Sequence, residues 1–378
     1  MKKQCTLVLL VATMITGFVY AQEKPLPKLT VGYVNQDHHS ALFVAALNAD
    51  RTQKDINLSL KVVEEKKKYE MIENGKKIAD VELVQAPGGG KMLTLLAQGQ
   101  FDISLGGIAA MANAVDKGGA VAVISPLHSK GNMLVMKKGF VATDWVSFVN
   151  TVKTSDKPVR IGYKDPVAVA RIIFEKGLAA EGIAFGGEAK PGIKVVTVNM
   201  KGEEFLNPGV QNNLIDGYVS NNPWCAIAEE KGVGTCVADL DMLPPGLWKG
   251  HPCCAIAATV DVTTGKPTLV KNFLKLMIMA TSYMETDRSV AEKAASTWLA
   301  TSPAVEKASI ATSGFGMRPT SLWKSSLDVW VKEMNDQQKL IGRLKGKSVA
   351  DTEQWLFNFT LLNAAYSELE AKGFKNLP

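Results

Sequence analysis

Two histidines stand side by side in "GYVNQDHHSALFVAALNAD", Gly32 to Asp50, and they are half of the four in this chain of 378 residues. Imidazole changes charge near neutral pH and serves as acid, base, anion donor or metal ligand. The other two are His128 and His251. His251 lies just before the adjacent thiols Cys253 and Cys254 in "GHPCCAIAAT". That grouping is of metal type, but no Cys-x-x-Cys pair accompanies it, so the expectation is no metal site. Neighbouring residues on a strand face opposite sides, and one partner is not expected to take both thiols. With Cys225 and Cys236 they admit several disulfide pairings, one or two bridges being expected in an oxidising compartment.

Familiar catalytic machinery is missing from the pattern. There is no Gly-x-Gly-x-x-Gly, no His-Glu-x-x-His and no nucleophile elbow, and Gly88-Gly89-Gly90-Lys91 lacks P-loop spacing. No catalytic residue and no cofactor is assigned. The expectation is a binder rather than an enzyme.

The histidine pair sits between an apolar run, Leu29–Val34, and a helical pattern from Ala41 to Leu47. In open α/β sheets, ligands bind at such strand-to-helix junctions. Three further junctions share the design. "SLGGIAAM" exposes backbone at Gly106 and Gly107 before another helix; "YKDPVAVAR" offers Asp165 as N-cap and Pro166 as first helical residue; "SNNPWCAIAEE" repeats this with Asn222 and Pro223. Ser40 is positioned to cap the helix after the histidines, and Ser125 ends a strand candidate. Each helix start offers unpaired N–H groups and partial positive charge to an anion. His38 or His39 would donate to its headgroup, and Trp224 would cover any organic portion.

These junctions belong to short apolar runs alternating with helical patterns, an α/β signature. Strand candidates are Leu29–Val34, Ile56–Val63, Phe101–Leu105 and Ala120–Ser125, then Val159–Tyr163, Val195–Val198, Ile215–Val219, Thr235–Ala238 and Cys253–Ala257. Asn74-Gly75 between two alternating stretches predicts a hairpin, read as a β-ribbon inserted near 64–86 after the second strand. From Pro267 the pattern is helical, and Trp298, Trp323, Trp330 and Trp355 read as packing for a tail wrapped on the first lobe.

Lys2, Lys3, the apolar run Leu7–Tyr20 and Ala21 form a secretory signal over residues 1–21, which predicts a soluble periplasmic product. The formal net charge of +6 is scattered, apart from Lys66-Lys67-Lys68. It is compatible with an anionic ligand and gives no nucleic-acid footprint.

"GQFDISLGGIAAMANAVDKGGAVAVIS" and "IDGYVSNNPWCAIAEEKGVG" resemble segments of the nitrate/sulfonate/taurine-type solute-binding proteins of ABC importers, grouped with thiamine-pyrimidine synthase-like sequences. The resemblance runs from about Leu29 to Ala257. It implies an α/β, type II periplasmic-binding-protein fold, with two α/β lobes joined by two crossing segments and a C-terminal helical tail. Lobe 1 would span 22–130 and lobe 2 131–250, with 251–378 returning to lobe 1. The crossings would fall near Gly131–Lys137 and His251–Ala257. It implies a monomeric periplasmic protein that closes on a small anionic solute (sulfonate, nitrate or carboxylate) and delivers it to an ABC permease and ATPase at the inner membrane. The ligand-facing positions carried over are His38, His39, Ser40, Gly106, Gly107, Ile108 and Ser125, faced by Asp165, Pro166, Asn221, Asn222 and Trp224. "NNP" stands where many relatives place an acidic residue, which weighs against a cationic amine contact. The alternative is a pyrimidine-synthase-like or metal-dependent enzyme using His251, Cys253 and Cys254.

Overall fold

The computed structural model describes residues 25–86 and 88–378; the signal assigned to residues 1–21 lies outside them. In chain order the strands are β1 (Lys28–Tyr33), β2 (Leu58–Glu64), β3 (Lys68–Glu73), β4 (Lys76–Gln85), β5 (Ile103–Gly107), β6 (Val121–Lys130) and β7 (Asn132–Lys137). They continue as β8 (Val159–Tyr163), β9 (Phe185–Gly186), β10 (Val195–Asn199), β11 (Gly217–Asn221), β12 (Gly234–Asp239), β13 (Pro252–Thr259) and β14 (Ser313–Phe315). Among the described residues they form two sheets. The eight-stranded sheet runs β14-β6-β13-β5-β1-β4-β3-β2, and the six-stranded one β12-β7-β11-β8-β10-β9.

Strands β1, β4 and β5 are parallel, as are β8, β10 and β11, and their apolar runs are buried between helices. The chain leaves the first sheet at Gly131 and returns between Asp239 and Pro252. The passages between sheets therefore fall at Gly131, where the first expected crossing begins, and in the stretch after Asp239 that ends where the second begins. Asn132–Lys137 pairs along its length with β11 and β12, and Pro252–Thr259 with β5 and β6, so satisfying backbone hydrogen bonds makes both segments strands rather than linkers.

The hairpin forms as read: Asn74 and Gly75 have φ of 49° and 76°, the paired left-handed residues of a tight two-residue turn. Its second arm is no insert, however. β4 takes the place beside β1, in parallel register from Lys28↔Asp80 to Tyr33↔Gln85, and leaves β2 at the sheet edge.

The tail is helical except for the short strand β14, which it adds to the first sheet beside β6, and its tryptophans pack as expected. Trp298 stacks on Phe43 at 4.8 Å and meets Tyr33 edge-on at 5.8 Å. The tail also reaches the second lobe. From the helix Ser321–Asp336, Glu333 pairs with Lys176 at 2.7 Å, and Gln337 just beyond it donates to the Ile172 carbonyl at 3.1 Å. All four described cysteines are free thiols, so the expected bridges are not formed in this structure.

Candidate functional site

Asp37, His38 and His39 form a single 3₁₀ turn between β1 and the helix Ser40–Leu47, and all three are buried. Successive residues of such a turn diverge by about 120°, so the two rings go separate ways. His39 turns back: its Nδ1 accepts from the Val34 N–H at 3.1 Å, and Nε2 faces the Gln36 amide at 2.9 Å. Burial, with His38 and Lys164 nearby, pushes its pKa well below the usual value, so it is neutral and holds its own loop.

His38 turns toward the crossing. Its Nε2 lies 3.2 Å from the Gly131 carbonyl, which as an acceptor requires the proton on Nε2 and leaves the Nδ1 lone pair free. That lone pair faces both thiols, Cys253 Sγ at 3.3 Å and Cys254 Sγ at 3.7 Å. The expectation that adjacent cysteines diverge is thus overturned. Register shifts on the β6 side of β13, on both sides of Cys254, break the alternation, and the two sulfurs converge to 4.0 Å.

Each sulfur also has an amide donor: Asn132 Nδ2 lies 3.3 Å from Cys253, and Gln36 Nε2 lies 3.6 Å from Cys254. His128 stacks on His38, ring centroids 3.6 Å apart, and burial lowers its pKa to about 3. His251 behaves oppositely. Burial would lower it, but Asp241 at 3.3 Å and the facing Cys253 outweigh that and raise it to about 9. Burial alone would likewise raise the Cys253 thiol. The Cys254 S–H and the surrounding histidines outweigh it and hold Cys253 well below the ordinary thiol range, while burial and Cys253 push Cys254 up.

Gln36, His38, Asn132, Cys253 and Cys254 line a cavity of about 30 Å³ between the sheets. From the first sheet come Gln36, His38, Gly106, Gly107, Cys253 and Cys254; from the second come Asn132, Lys164, Asp165 and Asn221. Two helices aim their first turns at it from opposite lobes, Ile108–Asp116 through Ala110 and Val169–Ala180 through Val169 and Ala170. The Lys164 ammonium contacts Glu203, Asn221 and Gln36. Burial opposes its charge, but Glu203 prevails and the pKa is raised.

Of the residues named from sequence, His38, Gly106, Gly107, Asp165 and Asn221 line this cavity. Ile108 and Ser40 are buried at helix starts, and the Ser40 hydroxyl has no partner. Ser40 is not a cap because it is the first residue of its helix, whose N-cap position is His39. Asp165 caps differently as well: it accepts from Val167 N–H in a turn, and the helix begins only at Val169. Ser125 donates to the neighbouring Pro126 carbonyl at 2.6 Å within β6. Pro166 lines an open groove beside the cavity. Asn222 accepts from Ala226 N–H and donates to Thr312 on the tail, while Pro223 precedes the helix Trp224–Glu230. Trp224 lies in a separate recess, with its indole N–H on Glu203 at 2.7 Å. Sequence reasoning missed Gln36, Asn132, Lys164 and Glu203. Lys164 was findable, since it directly follows the apolar run Val159–Tyr163 at a strand end.

Two α/β sheets, two crossings and a cavity at facing strand ends define a periplasmic-binding-protein fold. The chain belongs to the NMT1-like family, whose family profile matches residues 22–300. An uncharacterized protein of Methanocaldococcus jannaschii is 37% identical over 144 residues, which is 37% of this chain and 99% of that protein. Among solved structures the chain is similar to the periplasmic nitrate-binding protein NrtA of Synechocystis PCC 6803. The TM-score is 0.69 at 15% identity, covering 92% of this chain and 90% of NrtA. It is also similar to a zinc-bound ligand-binding component of an ABC-type import system from Staphylococcus aureus, with TM-score 0.68, 15% identity and coverage of 90% and 99%. The alkanesulfonate-binding protein SsuA of Xanthomonas axonopodis pv. citri, bound to MOPS, gives 0.62 at 16% identity, with 85% and 97% covered. At these identities the likeness is one of fold.

Proposed function

We propose that this protein is the solute-binding component of an ABC importer, exported by the leader at residues 1–21, which captures a small solute between its lobes and presents it to a membrane permease and its ATPase. The observation that carries this reading is the cavity shared by both sheets, walled by two opposed helix N-termini. Such termini favour negative charge, which supports an anionic solute. The nitrate and alkanesulfonate receptors of like fold support the same class. The cavity of about 30 Å³ has room for one or two waters. It therefore suits a compact anion better than one with an organic tail. Solute bridging the lobes would stabilise the closed population, with no bond made or broken.

The test is recovery of the bound solute from protein purified out of the exported fraction, by native and then denaturing mass spectrometry. An unaltered small anion at one per chain is expected. A chemically altered product, or an intact mass that retains residues 1–21, would count against the reading.

A further inference from the structure

We infer that His38, Cys253 and Cys254 form a binding site for one thiophilic ion with a filled d shell, Zn(II) or Cu(I), at the wall of the cavity. The inference deepens the capture reading by naming a chemistry for part of the same cavity. It needs residues of the first lobe alone to supply the ligands, so it does not require closure.

The first support is the donor triangle. Nδ1 and the two sulfurs are separated by 3.3, 3.7 and 4.0 Å, and all three donors lie within 4.8 Å of one another. An ion held at about 2.3 Å from each sulfur and about 2.0 Å from nitrogen needs donors about 3.5–4 Å apart, so the group requires shifts of only a few tenths of an ångström. The second support is the His38 tautomer. Donation from Nε2 to the Gly131 carbonyl leaves Nδ1 as a free ligand atom and fixes the ring, the usual outer partner of a metal-bound histidine. The third support is the amide donated to each sulfur, from Asn132 and from Gln36, which stabilises thiolate.

Burial decides the alternative. The donors are 1%, 3% and 2% exposed, and isolated thiolates at such depth are costly unless paired or bound to metal. Binding would release both thiol protons to solvent and leave a neutral S₂N–Zn(II) or singly negative S₂N–Cu(I) group. Two soft thiolates select such ions over Mg(II) and Ca(II). The fourth direction of a tetrahedral ion would open on the cavity.

The experiment uses the full exported chain, reduced and chelator-treated, titrated separately with Zn(II), Cu(I) and Mg(II) against chromophoric competitors. One equivalent of Zn(II) or Cu(I) is expected, with protection of Cys253 and Cys254 from alkylation, mapped by peptide mass. Co(II) should give thiolate charge-transfer absorption. Cys253→Ser and Cys254→Ser should each weaken binding by at least about a hundredfold, because loss of an outer-shell partner alone costs ten- to a hundredfold. Cys236→Ser should not. If the serine variants do not fold, alkylation protection in the native chain decides alone. Equal binding of Mg(II), or alkylation of both thiols at the metal-free rate, would overturn the inference. Compaction on adding nitrate or methanesulfonate in chelator, measured alongside by small-angle scattering, tests the capture reading separately: compaction without metal binding leaves capture standing and this site refuted.

Discussion

Gly131 shows how much one residue decides here. Its φ is +70°, and a Cβ at this position would lie 2.6 Å from His38 Nε2. Only glycine both tolerates the left-handed turn out of β6 and lets the ring reach the Gly131 carbonyl. Gly131→Ala should destabilise the fold by about 1–3 kcal/mol, from backbone strain together with the displaced ring, as read from denaturant midpoints at unchanged m. Unchanged stability would mean that the ring has room to move. His39 gives a second prediction at this scale. Its Nδ1 is committed to Val34 N–H, so His39→Ala should act on stability, leaving that amide unsatisfied at about 1–3 kcal/mol. A variant as stable as wild type but defective in solute binding would move His39 from the loop to the site.

Among the elements, β11 is fixed at its start by one carboxylate. Asp216 accepts from Arg160 through Nε and Nη2 at 3.1 Å, from the Arg160 N–H at 2.9 Å and from Lys137 Nζ at 2.8 Å, so it ties the end of β7 to β8. Burial would raise its pKa, but the Arg160 and Lys137 donors outweigh that and hold it at about 2. A depressed carboxylate contributes stability above its unfolded pKa near 4 and loses it as pH falls through the folded value. The window is therefore pH 4 down to 2, and the contribution is about 2 kcal/mol. Asp216→Asn should lose about that amount at pH 7 and flatten the acid limb below pH 4. An unaltered acid limb would remove Asp216 from the account.

For the whole molecule, the tail joins the two lobes. Lys176 to Glu333, Gln337 to the Ile172 carbonyl and Lys339 to Glu175 at 3.4 Å all hold the Val169–Ala180 helix against the tail. Trp248, in the return crossing, packs on Trp330 at 4.7 Å. If the lobes separate as proposed, these contacts must break. Glu333→Gln, which removes the charged partner of Lys176, should shift the solute-free protein toward separated lobes by about 1 kcal/mol, roughly fivefold in population. Small-angle scattering should show a larger radius without solute and the wild-type radius with it. Equal radii in both states would show that the tail does not restrain opening.

The local patterns were legible in the sequence. Apolar runs marked most strands, Asn74-Gly75 marked the hairpin, and helical spacing marked the tail with its tryptophans, because each follows from periodicity or turn chemistry within a few residues. His38, Gly106, Gly107, Asp165 and Asn221 were legible too, as residues at strand-to-helix junctions. What sequence could not supply depends on long-range pairing. That β4 rather than β2 lies beside β1 is settled by competition among strands for one edge. That Cys253 and Cys254 face one imidazole is settled by register shifts against β6, which no two-residue alternation contains. Gly131 meets His38, and Lys164 meets Gln36, only because the chain crosses to a second sheet and back, and a contact across ninety or more residues leaves no mark on local spacing.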